Sequence, residues 1–125
     1  MNREIKFRVW DKTVGDYVKL LSIDFKNKTA IVEHWEFGVS NPMSLDDLVI
    51  ERYTGLKDCY GNVIYENDLL KFTYPFDKNS TIGQVEWSDK DAGFILGIST
   101  LWRIAIKAEV VGNAHEDGQL LGADK

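Results

Sequence analysis

Few side chains in this 125-residue chain are of the types most often used for metal ligation and nucleophilic catalysis: two histidines, His34 and His115, and one cysteine, Cys59. Neither histidine stands in an H-E-x-x-H or C-x-x-C string, and the three residues are far apart in sequence. No serine lies in a G-x-S-x-G turn, and no glycine-rich phosphate loop is present. The spacing therefore predicts neither a metal nor a cofactor, and it gives no support for nucleophilic catalysis.

Carboxylates are the remaining group that could perform chemistry, because paired carboxylates can act as acid and base or hold a divalent cation. Pairs occur at Asp46-Asp47, at Glu66 with Asp68 and at Glu116-Asp117. Each pair stands beside a predicted turn or helix start, where Asp and Glu commonly accept backbone hydrogen bonds. We therefore interpret the pairs as turn residues, disfavour an enzyme, and keep a metal-dependent hydrolase as the weakest functional alternative.

Nucleic-acid binding is suggested by the first predicted strand, which interleaves cationic and aromatic residues: Arg3, Lys6, Arg8 and Trp10. The first 28 residues hold seven basic and four acidic side chains, whereas the whole chain holds 15 basic and 20 acidic ones, for a net charge of -5. Phosphate binding relies on a concentrated positive surface, which an acidic chain must segregate. These four residues are candidate nucleic-acid contacts, in an alternative that the acidic composition disfavours.

Short runs in which apolar and polar residues alternate must position these side chains. A period of two, typical of half-buried strands, marks residues 3–10 and 17–25. Residues 29–37 are rich in residues that favour strands, so the three runs predict a β-meander. Further strand-like runs cover 49–53, 69–76, 82–87, 94–98, 101–108 and 110–113. Ser44, placed before Asp46 and Asp47, predicts one short helix or helical turn. The pattern predicts a mostly antiparallel β-protein with at most one or two short helices.

Aromatic residues and the two ends of the chain complete this interpretation. Trp35, Trp87 and Trp102 are expected in a core or an interface, since aromatic side chains dominate both. Residues 114–125 form a polar tail. No apolar run is long enough for a membrane span, and no export signal is evident, so we expect a cytoplasmic protein.

Three motifs stand in order along the chain. The central motif is Tyr53-Thr54-Gly55-Leu56-Lys57-Asp58, followed by Gly61-Asn62 and by Ile64-Tyr65-Glu66-Asn67-Asp68. The first motif is the opening, residues 3–11, and the last is the stretch Glu109-Val110-Val111-Gly112-Asn113. Together these motifs resemble the YopX family of phage and prophage proteins. Asn67 stands where the family commonly has Gly, and Asn also tolerates the left-handed turn conformation.

This resemblance implies a mostly β-protein encoded by a phage or prophage, with an SH3-like small barrel in its later part. We expect one YopX-like domain over residues 1–125, subdivided into a meander at 1–40 and a barrel at 45–113, with the best location for a seam between Val39 and Ser44. The resemblance implies no reaction and no catalytic residue, and the central motif is interpreted as a fold signature.

Non-catalytic binding of another macromolecule is the function that these observations favour. The partner is expected to be a host or phage protein, or a second copy of the chain, because exposed sheet edges and aromatic anchors can serve an interface without catalytic groups. The alternatives are nucleic-acid binding through the first strand and, more weakly, metal-dependent hydrolysis.

Overall fold

A computed structural model describes residues 5–121 of the chain. The chain divides into two compact units, one extending to Arg52 and the other beginning at Tyr53. The predicted seam between Val39 and Ser44 thus lies inside the first unit. The assignment of residues 1–125 to one domain, with a meander at 1–40 and a barrel at 45–113, stays a prediction.

The first unit is an antiparallel sheet that begins with the predicted meander. Its strands are β1 (Phe7–Asp11), β2 (Asp16–Asp24), β3 (Thr29–His34), β4 (Gly38–Val39), β5 (Met43–Ser44) and the first half of β6 (Leu48–Lys57). Their order is β4-β3-β2-β1-β6, and β5 also pairs with β3. A 3-10 turn at Leu45–Asp47 follows β5, and the Ser44 side chain accepts a hydrogen bond from its Asp46 N–H, as predicted.

Alternation along the strands places one face of this sheet in the core of the first unit. Val9, Ala30, Val32 and Leu48 are buried there. Val9 lies opposite Val18 on β2 and Ile50 on β6, so adjacent strands contribute apolar side chains to the same face. The opposite face of β1 carries Arg8 and Trp10, which places the predicted cationic and aromatic residues on the sheet side away from this core.

The second unit contains two groups of paired strands. The second half of β6 pairs with β7 (Val63–Tyr65). The other strands are β8 (Asp68–Phe72), β9 (Thr81–Ser88), β10 (Gly93–Leu96), β11 (Ser99–Thr100) and β12 (Glu109–Asn113), in the order β11-β10-β9-β8-β12. The predicted strand at 69–76 ends at Phe72, because Pro75 lacks an N–H and Asp77 N–H donates to the Tyr74 carbonyl in a turn.

The strand predicted at residues 101–108 is wrong, because this segment is helical. It forms α1 (Leu101–Ile104), followed by a 3-10 turn at Ala105–Lys107. Four residues spaced as one helix face are buried: Leu101, Ile104, Ala105 and Ala108. Their i, i+3, i+4, i+7 spacing is that of an amphipathic helix, and the alternation of apolar residues in the same segment concealed it.

The predicted mostly β, antiparallel class is confirmed. Among the described residues, the strand pairings of the second unit form an open path, and the SH3-like barrel stays a prediction. The predicted polar tail contains a 3-10 turn at Gly118–Leu121. Within residues 5–121, no helix is both long and apolar enough to span a membrane.

Candidate functional site

Arg8, one of the four predicted nucleic-acid contacts, takes part in a buried ion pair. Its Nε donates to Oε1 of Glu51 at 2.8 Å, and Glu51 has no exposed surface. The Tyr17 hydroxyl donates to the same oxygen at 3.0 Å, and the Arg8 guanidinium lies 4.6 Å from the centre of the Tyr17 ring. The charge of Arg8 is therefore balanced within the first sheet.

The other three predicted contacts are placed differently. Lys6 and Trp10 are half-buried, and the Trp10 ring packs edge-to-face on Tyr17 with 5.0 Å between ring centres. Arg3 lies outside the described residues. Nucleic-acid binding by Arg3, Lys6, Arg8 and Trp10 stays a prediction. The Arg8 guanidinium, one of the three predicted cations, is already paired with a carboxylate.

The residues considered for catalysis serve turns where their contacts are known. Within residues 5–121, no group of three or more His, Cys, Asp or Glu side chains could hold a metal ion. Asp68 Oδ2 accepts the Tyr65 N–H at 2.8 Å, and Asp117 Oδ2 accepts the Asn113 N–H at 3.0 Å. Asn113 Oδ1 accepts the N–H of His115 at 3.0 Å. These contacts support the interpretation of these residues as turn residues.

Cys59 is exposed, but its surroundings oppose the thiolate form. Loss of water around the sulfur raises the pKa of the Cys59 thiol, and the negative charges of Asp58 and Glu109 raise it further. Since the thiolate is the nucleophilic form, this cysteine is a poor nucleophile near neutral pH.

Asp58 gives the central sequence motif a structural explanation. Its Oδ1 accepts the N–H groups of Tyr60 and Asn62 at 2.9 and 2.8 Å, and its Oδ2 accepts the N–H of Val110 on β12 at 2.9 Å. Burial alone would raise the pKa of Asp58, but the backbone donors, Val110 and Asn62 foremost, outweigh burial and lower it.

Turn conformations explain three further residues of the motif. Gly55 and Gly61 have φ of 87° and 83°, and Asn67 has φ of 68°, so all three occupy the left-handed region, as expected for Asn67. Four residues of the motif thus have a structural role in turns, which supports its interpretation as a fold signature.

The most unusual surface of the first unit is the hairpin between β3 and β4. Three apolar side chains alternate there and are largely exposed: Trp35 at 80%, Phe37 at 68% and Val39 at 60%. We refer to residues 34–39 as the aromatic hairpin. Trp35 was expected in a core or an interface, and its exposure excludes the core of the described unit.

His34 fixes the conformation of the aromatic hairpin. Its side chain is buried, and Nδ1 accepts the N–H groups of Glu36 and Phe37 at 3.0 and 3.2 Å. Because Nδ1 is an acceptor, we assign the proton to Nε2, which lies 3.2 Å from Oδ2 of Asp16 and donates to it. The ring also stacks on Phe37, with centres 4.7 Å apart. Both nitrogens of His34 are therefore occupied in holding the turn.

Asp16 accepts hydrogen bonds from both His34 and Trp35. Trp35 Nε1–H donates to Asp16 Oδ2 at 3.1 Å. This bond is the largest cause of the lowered pKa of Asp16, and the His34 bond adds to it while desolvation opposes both. A shallow depression of about 430 Å³ lies beside Trp35 and includes Lys19, Glu33 and Glu36 among its lining residues. The surroundings of the exposed indole thus carry more acid than base.

An apolar cleft also lies beside the aromatic hairpin and has a volume of about 250 Å³. Its apolar walls come from five residues: Val14, Val32, Phe37, Val39 and Met43. Asp11 and Ser40 contribute polar groups to the same cleft, and Asp11 is only 4% exposed. We refer to this depression as the apolar cleft.

Sequence reasoning did not single out the aromatic hairpin or the apolar cleft. The available signal is the run Glu33-His34-Trp35-Glu36-Phe37, in which large aromatic residues alternate with charges at the end of a strand. Asp11 likewise ends the alternating run of the first strand. Neither pattern reveals which side chains face water, because that depends on the strands packed beside them.

Comparisons with known proteins agree with the described fold. A family model described as "YopX protein" matches residues 6–122. Protein EF1440 from Enterococcus faecalis has a similar crystal structure, with a TM-score of 0.67 and 23% identity over 96% of this chain and 99% of that one. Protein yopX from Bacillus subtilis has a TM-score of 0.57 and 19% identity over 92% of this chain and 96% of that one. No curated protein matches the chain significantly.

Proposed function

We propose, from the premise that this chain belongs to the YopX family, that it is an accessory protein of phage or prophage origin that binds another protein without catalysis. The partner engages the aromatic hairpin and is a basic protein of the host or of the phage. The premise itself supplies no activity, so the proposal depends on the geometry of the hairpin.

One observation supports this proposal above the others: large apolar side chains are exposed to water on a turn that His34 holds by hydrogen bonds. Trp35 and Phe37 expose most of their surface, although His34 fixes the backbone beneath them. Aromatic residues on a fixed backbone lose little entropy on binding and are the usual energetic anchors of interfaces. Exposed aromatic side chains on this hairpin therefore favour recognition of a partner protein.

Charge around the hairpin favours a basic partner. Glu33 and Glu36 lie on either side of Trp35 in the sequence and line the depression beside its ring, with Lys19 as the one cation among the lining residues. The whole chain also carries a net charge of -5. Complementary charge accelerates association and disfavours partners of the same sign.

The test compares capture of lysate proteins by the tagged wild-type chain and by Trp35→Ala/Phe37→Ala. We expect one basic protein that is retained by the wild type with or without nuclease. Once purified, this protein should bind the double variant at least tenfold more weakly, as the loss of two interface anchors predicts. Trp102→Ala is the matched control, since Trp102 lies in the second unit and is 65% exposed. This control should bind like the wild type.

Three results would contradict the proposal. Equal affinity of the double variant and the wild type would remove the aromatic hairpin from the interface. Retention that is lost with nuclease would favour the nucleic-acid alternative. A native mass spectrum that shows a dimer lost in the double variant, with no other protein retained, would assign the hairpin to self-association.

A further inference from the structure

The apolar cleft contains one charged group whose hydrogen bonding is incomplete. Asp11 Oδ1 accepts the N–H and the hydroxyl of Thr13, at 2.8 and 2.6 Å. From the rest of the chain between residues 5 and 121, the second oxygen, Oδ2, accepts no hydrogen bond. The residue is 4% exposed, and it lines the cleft. The cleft therefore offers a carboxylate with one oxygen available to an occupant.

A buried carboxylate favours an occupant that carries positive charge. Removing a carboxylate from water is unfavourable unless donors or a cation compensate for the lost hydration. Thr13 supplies neutral donors to one oxygen only, although an ionised carboxylate has about four acceptor positions in total. A cationic N–H group that displaced water from the cleft would complete the coordination of Asp11.

The walls of the cleft indicate which cation fits. A chain of methylene groups can pack on Val14, Val39 and Met43, while a compact charge reaches Asp11. A guanidinium binds best as a fork across both carboxylate oxygens, but Thr13 already occupies Oδ1. An ammonium is a point charge that needs one oxygen at a time, which matches the oxygen available.

Ser40 adds a second acceptor for an ammonium. Its Oγ accepts the N–H of Val32 at 3.1 Å and retains another lone pair. Ser40 lines the same cleft as Asp11. An ammonium, which has three N–H donors, can therefore donate to both a carboxylate and a hydroxyl within the apolar cleft.

We infer that the apolar cleft is a recognition subsite for one lysine side chain of the partner protein. This inference rests on the proposed function, because it places a single residue of that partner beside the aromatic hairpin. Phe37 belongs to both the hairpin and the cleft, so both contacts belong to one continuous surface.

The test is an NMR titration of the full-length protein with N-acetyl-lysine N-methylamide. The uncharged norleucine analogue and the arginine analogue are titrated in parallel. We expect the lysine probe to shift the amide signals of Thr13, Gly38 and Ser40, and to bind at least tenfold more tightly than norleucine. Equal binding of lysine and norleucine, tighter binding of arginine, or shifts elsewhere on the chain would overturn the inference.

Asp11→Asn identifies the group responsible, because the amide oxygen can still accept from Thr13 while the charge is removed. We expect the lysine-to-norleucine affinity ratio to fall below threefold in Asp11→Asn. Asp47→Asn is the matched control, since it makes the same change at an exposed acid outside the cleft and should leave the ratio near tenfold. An unchanged ratio in Asp11→Asn would exclude Asp11 as the acceptor. If Asp11→Asn does not fold, the comparison of probes on the wild type still decides.

Failure of this inference is distinguishable from failure of the proposed function. If partner binding requires Trp35 and Phe37 but the probes do not distinguish lysine from norleucine, only the lysine subsite is wrong. If no partner engages the hairpin, the probe titration still tests the cleft independently.

Discussion

Arg8 and Glu51 form an ion pair of the first sheet in which the carboxylate is fully buried. Removal of one member of a buried pair leaves an uncompensated charge, which costs far more than the pair itself contributes. Tyr17 also donates to the Glu51 carboxylate and would compensate for only part of that loss. Arg8 is therefore more important to folding than its position in a basic strand suggests.

We expect Arg8→Met to lower the free energy of unfolding by about 3 kcal/mol at pH 7, because the buried Glu51 carboxylate would lose the Arg8 guanidinium. Arg8→Met/Glu51→Leu should lose less than Arg8→Met alone, since both charges are removed together. Urea unfolding followed by circular dichroism measures both values. Lys12→Met is the control: Lys12 donates to the Asp46 carbonyl at an exposed site, and its loss should change stability by about 0.5 kcal/mol or less. A double variant less stable than Arg8→Met would contradict this account.

The lowered pKa of Asp58 predicts how the free energy of unfolding depends on pH. Its pKa is lowered in the folded state, so its contribution is present above the unfolded value near 3.8 and is lost as the pH falls through the lower folded value. At pH 7, Asp58→Asn should destabilise the protein by about 1–3 kcal/mol, because backbone donors lose a charged acceptor. The difference from wild type should shrink below about pH 4.

Urea unfolding at a series of pH values measures this difference. Asp77→Asn is the matched control, because Asp77 accepts one N–H, from Asn79, at an exposed site and should show a much smaller difference at every pH. A constant difference between wild type and Asp58→Asn from pH 7 to pH 3 would show that the charge of Asp58 is not what stabilises the turn.

At the level of elements, the turn before β11 depends on close approach between a glycine and an aromatic ring. Gly97 has φ of 62°, and a Cβ added there would collide with the Tyr74 hydroxyl. That hydroxyl accepts the Ile98 N–H at 3.0 Å, and the Tyr74 ring stacks on Phe76 with centres 5.0 Å apart. The Tyr74 hydroxyl is therefore held at the position that the new methyl group would occupy.

We expect Gly97→Ala to destabilise the protein by about 2–4 kcal/mol, because left-handed strain and a steric clash both contribute. Gly61→Ala is the matched control in the same unit: its φ is 83°, but no atom lies within 4 Å of the added Cβ. It should cost about 1 kcal/mol from strain alone. Thermal unfolding measures the stability of both variants. Equal losses of stability in Gly97→Ala and Gly61→Ala would exclude the clash with Tyr74.

At the level of the whole molecule, the distribution of charge separates the functional alternatives. The first 28 residues carry the excess of basic side chains, but the whole chain is acidic, and Arg8 is paired with Glu51. Because phosphate binding requires positive charge that is not already neutralised, the paired Arg8 weakens the nucleic-acid alternative.

We expect no saturable binding of a fluorescent single-stranded oligonucleotide at about 0.15 M salt, measured by anisotropy. The nucleic-acid alternative predicts binding that weakens steeply with added salt and with Lys6→Glu but not with Lys90→Glu, which changes an exposed lysine of the second unit. Lys6→Glu is preferable to Arg8→Glu, because substitution of Arg8 would break the buried ion pair. Observation of that pattern would favour nucleic acid over a protein partner.

The sequence by itself determined the features that depend on neighbouring residues. Alternation predicted the β class, Ser44 predicted the cap of the 3-10 turn, and Asn67 was expected to adopt a left-handed turn, because each is governed by local backbone geometry. The helical segment after β11 was missed, since alternation and helical spacing coexist over those eight residues.

Only the tertiary structure decided which side chains meet and which are left exposed. Arg8 and Glu51 are 43 residues apart and meet because β1 pairs with β6, a strand that is not its neighbour in sequence. Burial of Asp11 beside exposed Phe37 likewise depends on how β3 and β4 pack beside the turn after β1. Exposure is a property of everything that covers a side chain, so the candidate site follows from long-range strand pairing and not from local sequence.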